Sequence, residues 1–181
     1  MLDVNKTKQM AAKFIDCSGG TINIMSLVKL IYLADRKALD KYETPISGDS
    51  YVSMTNGPVP SSSYDLIKGV MKVAEWSDLI SERVNHKVGL TRTLEGSDLD
   101  YLCEDDLDII ESIWSELGHL SQYELVVYSH ENCKEWQDPK GSSIPISYED
   151  IFLKLGRSEE DANDLAARIV SFQSLGEQTI N

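Results

Sequence analysis

The side chains best suited to chemistry in this sequence are a histidine and a cysteine, His130 and Cys133, three residues apart. That spacing places two side chains on one face of a helix. They could bind zinc, with His119 or Cys103 as a further ligand, or act as a base and its nucleophile. A zinc site needs three or four ligands with a spacing of their own, and no third group is seen to orient the imidazole. The pattern therefore favours a helix-end histidine beside a buried thiol, with no metal and no cofactor.

Other patterns typical of catalysis are missing from the sequence. It has no phosphate-binding glycine loop, no HExxH, no GxSxG and no paired cysteines. Asp35 stands at the apolar edge of a predicted helix, where a carboxylate needs a partner. The sequence leaves open whether that partner is Lys29, Arg36 or a backbone amide. We therefore expect a protein that is not an enzyme, and an enzyme with a His/Cys site is the lowest alternative.

The stiffest segment is TNGPVPSSSYDLIKG, residues 55–69. Gly57 allows a positive φ, while Pro58 and Pro60 each fix their own φ. The segment predicts a rigid elbow that leads into a short helix, with Ser61 as the N-cap and the last glycine at the helix end. Such an elbow could be a contact surface, because it loses little entropy on binding, or a structural buttress. We expect exposed tyrosine and lysine side chains near it to make the better contacts.

The elements before the elbow are two helices and a strand. Apolar residues at helical spacing predict a helix over residues 3–17 and a second, most deeply buried helix that begins at Asn23 and ends before Glu43. Residues 49–54 have the character of a short strand. After the elbow helix, residues 70–76 could continue it past Gly69.

The second half of the chain predicts one more β element and four helices. Residues 84–93 alternate apolar and polar side chains and turn into residues 99–102, which indicates a β-hairpin or small sheet. A helix ends at Gly118, and three others begin at the serine caps Ser121, Ser147 and Ser158. The last helix has an apolar stripe that ends at Phe172.

Taken together, the predicted elements indicate an α+β protein. We expect a mainly α-helical single domain with a small β-hairpin or sheet over residues 1–174, followed by a flexible tail at 175–181.

Charge and cysteine usage narrow the class of protein. The chain has 30 acidic and 17 basic residues, a formal net charge of −13. Such a surface repels nucleic acids, and no cluster of Lys and Arg offsets it, so we expect no nucleic-acid partner. A basic protein partner suits this charge, although the charge also serves solubility. Three widely spaced cysteines and the lack of a long apolar run predict a cytoplasmic protein that does not contact a membrane.

Two stretches carry a resemblance to a known family. Residues 29–69 read KLIYLADRKALDKYETPISGDSYVSMTNGPVPSSSYDLIKG, and residues 120–136 read LSQYELVVYSHENCKEW. The first resembles the pattern of the Panacea domain, the SocA-like antitoxin family formerly known as a phage-associated domain of unknown function. That pattern is a Lys-Leu-x-Tyr-x-Ala helix, a short Gly/Asp-Tyr strand, then Gly-Pro-Val-Pro and Tyr. The second stretch is a weaker match to the family's Leu-Ser, helix, His and Trp segment, and residues 70–119 match poorly.

The resemblance implies a mostly helical domain with a small β element and no catalytic residues. It implies the antitoxin of a type II toxin–antitoxin system, which neutralises a cognate toxin protein, encoded by an adjacent gene, by direct protein–protein binding. A proteolytic adaptor that delivers a toxin or other client to a protease is the alternative. The expected motif or partner-binding residues are Lys29, Tyr32, Asp35, Tyr51, Asn56, Gly57, Pro58, Val59, Pro60, Tyr64, His130 and Trp136. All but Asn56 belong to the pattern that carries the resemblance, and Asn56 is included because it flanks the elbow.

Overall fold

A long buried helix organises the fold. The computed structural model describes residues 2–178, with the side chains of residues 2–175. Helix α2 (Ile24–Tyr42) begins after Asn23, whose side chain accepts a hydrogen bond from the amide of Met25. It ends at Glu43, which adopts the left-handed conformation. Neighbouring helices and a strand cover most of its circumference, so the predicted central helix is confirmed.

The remaining elements surround α2, and helices make up 56% of the structure. This confirms the predicted α+β class, a mainly helical single domain with small antiparallel sheets. The other helices are α1 (Val4–Cys17), α3 (Ser61–Lys68), α4 (Ala74–Ser77), α5 (Glu104–Leu117), α6 (Gln122–Asn132), α7 (Tyr148–Lys154) and α8 (Glu159–Gln178), with a 3₁₀ turn at Gly96–Leu99. The strands are β1 (Thr21–Asn23), β2 (Tyr51–Met54), β3 (Gly57–Pro60), β4 (Lys87–Gly89) and β5 (Ile144–Ile146).

The elbow predicted from the prolines is a β-strand. β3 pairs antiparallel with β2, with Val52 opposite Val59, and β2 pairs with β5 on its other side. β3 is therefore an edge strand, the position in a sheet that tolerates proline because proline has no amide hydrogen to donate. Prolines on the edge make the hairpin stiff and keep the edge from pairing with another chain.

The predicted N-cap of the elbow helix is wrong. Ser61 is the first residue of α3, and no side chain of its own segment caps the helix. The carboxylate of Asp49 does so instead, accepting from the amides of Ser62 at 3.0 Å and Ser63 at 2.7 Å. A carboxylate at a helix N-terminus also complements the helix dipole. Gly69 ends α3 with a φ of 75°, as predicted.

The predicted pairing of residues 84–93 with 99–102 is also wrong. β4 pairs with β1, from Thr21 opposite Gly89 to Asn23 opposite Lys87. Asn85 has a φ of 48° and His86 a φ of 61°, so the chain makes a tight turn where a strand was expected. The segment 99–102 begins with the last residue of the 3₁₀ turn and lies in no strand.

Two further expectations fail near helix ends. Residues 70–76 do not continue α3, because Gly69 reverses the chain and the separate short helix α4 begins at Ala74. On α8, Ile169 is buried, but Phe172 is 72% exposed and does not join the apolar stripe. Residues 175–178 of the expected tail belong to α8, and residues 179–181 lie outside the described residues.

Candidate functional site

A buried lysine joins α2 to the proline hairpin. Lys29 is 1% exposed, and its ammonium group donates a hydrogen bond of 2.7 Å to the carbonyl of Pro58. No carboxylate forms an ion pair with it among the described residues. Burial therefore lowers the Lys29 pKa to about 7, because removal from water disfavours the charged amine. Lys29 thus links α2 to the hairpin, and its charged form is only weakly stabilised by the protein around it.

Gly57 lets α6 approach the same point. Its φ is 97°, a conformation that L side chains rarely adopt. A methyl group there would lie 2.5 Å from the hydroxyl oxygen of Ser129 and 2.9 Å from the nitrogen of Lys29. Only glycine therefore allows α2, the hairpin and α6 to meet.

Asp35 fixes the loop between α2 and β2. Its carboxylate is fully buried and accepts hydrogen bonds from the amides of Ile46 and Ser47 at 2.9 Å, from the Ser47 hydroxyl, and from the Tyr51 hydroxyl at 3.0 Å. Backbone amides and hydroxyls, and neither Lys29 nor another cation, are thus its partners. Burial raises the pKa of Asp35 to about 6, although these hydrogen bonds counteract part of the shift.

Glu135 joins α2 to the segment after α6. Its side chain is buried and accepts hydrogen bonds from the Tyr32 hydroxyl at 2.6 Å and from the Arg36 guanidinium at 2.7 and 3.3 Å. Tyr32 itself is fully buried, with its ring edge-on to Tyr51 at 5.4 Å between centroids. Glu135 was not among the residues predicted from the sequence, and its position beside the motif residue Trp136 was the available signal.

His130 and Cys133 do not form a reactive pair. The ring of His130 stacks on Trp136 with centroids 4.0 Å apart, and Trp136 donates through its indole nitrogen to the carbonyl of Met54. Cys133 is 1% exposed, and burial raises its thiol pKa to about 12, which suppresses the nucleophilic thiolate at neutral pH. In the described part of the chain, no three His, Cys, Asp or Glu side chains stand together as a metal site would require.

A pocket of about 680 Å³ lies where the N-terminus of α2, the hairpin, α3 and the turn before β4 meet. This volume is in the range of sites for small molecules. One part of its wall is apolar and includes Ile24, Val28, Met54 and Val59. Amide and aromatic side chains line the rest, among them Asn56, Asn85, Gln122, Tyr64 and Tyr123.

The charged side chains in the lining are all basic or histidine. Lys29 lies in the wall, Lys68 and Arg83 also line the pocket, and His86 adds an imidazole. No Asp or Glu contributes to the described lining, although the chain has 30 acidic residues. The ammonium group of Lys68 lies 4.6 Å from the centre of the Tyr64 ring and not beside a carboxylate. The pocket is therefore a cationic site on an acidic protein.

The structure divides the residues marked by the sequence into two groups. Those that line the pocket are Lys29, Asn56, Val59 and Tyr64. Those that lie in the supporting framework are Tyr32, Asp35, Tyr51, Gly57, Pro58, Pro60, His130 and Trp136. Asp49, Glu135, Lys68 and Arg83 were not predicted from the sequence. Asp49 and Glu135 accept hydrogen bonds from segments distant in the chain, and Lys68 and Arg83 come to line one pocket only in the folded protein.

Together these features define a mainly helical domain in which a stiff hairpin and a buried polar network hold a small cationic pocket. Residues 27–137 match the family model described as "Antitoxin SocA-like, Panacea domain". The chain belongs to this family, as residues 29–69 predicted, and the match also spans the poorly matching residues 70–119. Comparisons with characterised proteins and with solved structures gave no significant match. Among the described residues, no helix is both long and apolar enough to cross a membrane.

Proposed function

We propose that this protein is the antitoxin of a type II toxin–antitoxin system and neutralises a cognate toxin, encoded by an adjacent gene, by direct binding in the cytoplasm. The observation that carries the proposal is the family match over residues 27–137. The match supports an antitoxin role, and a toxin partner is what that role would require.

The framework around α2 supports a binding role. Asp35, Glu135 and Lys29 each connect α2 to a different segment through buried hydrogen bonds. A surface held in this way loses little conformational entropy when a partner binds. The net charge of −13 favours fast association with a basic protein and disfavours nucleic acids.

The chemistry of the buried side chains favours binding over catalysis. The thiol that could act as a nucleophile is buried, and its pKa is raised to about 12. Its neighbour His130 stacks against an indole, and burial lowers the pKa of that imidazole. We therefore propose a protein without enzymatic activity.

Co-expression with the neighbouring genes tests the antitoxin role. Each open reading frame flanking the gene is induced in cells with and without this protein, and growth is recorded. We expect one neighbour to stop growth, this protein to restore it, and the two proteins to copurify. If no neighbour is toxic, or if growth is not restored, the antitoxin proposal fails.

The amount of toxin during rescue separates direct neutralisation from the adaptor alternative. Direct binding leaves the toxin level unchanged, because the toxin persists in an inactive complex. An adaptor lowers it, and the fall should disappear in a protease-deficient strain. A chain that ends at residue 174 provides a further control, since an adaptor that docks through its C-terminal segment should lose client turnover.

A further inference from the structure

The three basic residues of the pocket form no ion pair with a carboxylate in the described structure. Seven lysine and arginine side chains in the described structure form ion pairs with carboxylates. Lys29, Lys68 and Arg83 form none of these pairs. Ten of the 17 basic residues form no such pair, and what distinguishes these three is that they line one pocket without any Asp or Glu, in a chain with almost twice as many acidic as basic residues. The described lining thus supplies no carboxylate to balance their charge.

The fold adds further positive potential at the same place. Asn23, Ile24 and Met25, at the N-terminus of the 19-residue helix α2, line the pocket. The positive end of the helix dipole therefore lies in its wall. Lys29 is one turn further along. Because burial disfavours its charged form, an anion near it would stabilise the protonated amine.

The remaining lining favours a ligand with an apolar body. Val28, Met54 and Val59 offer an aliphatic wall, and the rings of Tyr64 and Tyr123 lie in the same lining. A single Asp or Glu side chain of a protein partner is much smaller than a pocket of about 680 Å³. The volume thus suits a whole small molecule better than one inserted carboxylate.

We propose that this pocket is a binding site for a small organic anion, a phosphate or carboxylate group on an aromatic or aliphatic body. The anionic group contacts Lys68 and Arg83, and the body packs against the aliphatic wall. Lys29 is only 1% exposed, so it adds positive potential from within the wall and does not contact the ligand directly. The amides of Asn56, Asn85 and Gln122 are available to orient its polar atoms. This site does not depend on the antitoxin role, because the purified chain alone carries it.

Binding of matched naphthalene probes tests the proposal. Isothermal titration at low salt compares 1-naphthyl phosphate, 1-naphthoate and the neutral 1-naphthol. We expect one molecule of an anionic probe per chain, with a dissociation constant below roughly 1 mM and at least about tenfold tighter binding than for naphthol. The first two probes distinguish a phosphate from a carboxylate as the preferred group. Equal binding of charged and neutral probes, or no binding of either anion, overturns the proposal.

Charge-neutralising variants locate the site. Arg83→Gln and Lys68→Gln should each weaken binding of the anionic probe about fivefold to tenfold and leave naphthol binding nearly unchanged. Lys72→Gln removes the same charge from an exposed lysine that does not line this pocket, so it should have less than about a twofold effect. If Lys72→Gln weakens binding as much as the pocket variants, the probe is responding to overall charge and the proposed site is wrong. An acidic segment of a protein partner as the true occupant would leave both anions unbound.

Discussion

Replacing Lys29 with methionine should change how the stability of this protein depends on pH. The Lys29 side chain is 1% exposed and has no ion-pair partner among the described residues, and burial lowers its pKa from 10.5 to about 7. The unfolded chain keeps the proton up to pH 10.5, whereas the native state releases it near neutrality. Above pH 7 the unfolded state therefore binds more protons than the native state, and stability rises as the pH rises. Methionine has a similar length and no titratable group.

The size of the effect follows from the two pKa values. Between pH 7 and pH 9, a group with a pKa of about 7 in the folded state and 10.5 in the unfolded state adds about 2 kcal/mol to the free energy of unfolding. Below pH 7 both states hold the proton and the contribution stays at its least favourable value. Cys133 and the tyrosines titrate in both proteins, so subtraction of the two curves isolates Lys29.

Urea denaturation at pH 7, 8 and 9, followed by tryptophan fluorescence, measures the difference. From pH 7 to pH 9, the free energy of unfolding of the wild-type protein should rise by about 2 kcal/mol relative to that of Lys29→Met. The loss of the hydrogen bond to Pro58 shifts the variant's curve by a constant and does not change its slope. If the two curves run parallel, Lys29 is protonated throughout in the native state, and the low pKa inferred from its burial is wrong.

Three further predictions address the framework. Gly57→Ala should lower the free energy of unfolding by about 3 kcal/mol, because the methyl group meets the hydroxyl of Ser129 and φ is positive; chemical denaturation measures this loss. Glu135→Gln should cost about 3 kcal/mol in the same assay, because it leaves a buried phenol and a partly buried guanidinium without their charged acceptor. Cys133 should react with an aromatic disulfide reagent only after unfolding, since it is buried and its pKa is raised.

Each of these predictions has a matched control in the chain. Gly19 has a φ of 83° and no described atom within 4 Å of an added methyl group, so Gly19→Ala should cost only about 1 kcal/mol. Glu116→Gln removes an exposed carboxylate that pairs with Lys37 at 3.6 Å, and should cost less than about 1 kcal/mol. Cys103 is exposed and should react with the disulfide reagent in the folded protein. Equal losses within either pair of variants, or early reaction of Cys133, would contradict the packing described.

The sequence predicts the elements that local signals define. The N-cap at Asn23 and the capping box at Ser121 act over a few residues, and both helices begin where the pattern indicates. The strand pairings could not be predicted in this way, because β4 pairs with β1, which lies more than sixty residues earlier in the chain. Asp49 caps a helix twelve residues beyond it, and no local rule assigns a cap at that distance. The cationic pocket depends in the same way on segments that only the tertiary fold brings together.

The burial of the motif residues bears on where partner specificity resides. Lys29, Tyr32, Asp35 and Tyr51 were candidates for contact, yet none is more than 2% exposed, and each makes a hydrogen bond within the protein. Side chains this deeply buried act on a partner only through the segments they hold in place. The sequence motif thus specifies a framework, and a framework can be kept while the surface residues around it change. Partner choice should therefore be set by side chains outside the motif that the framework presents.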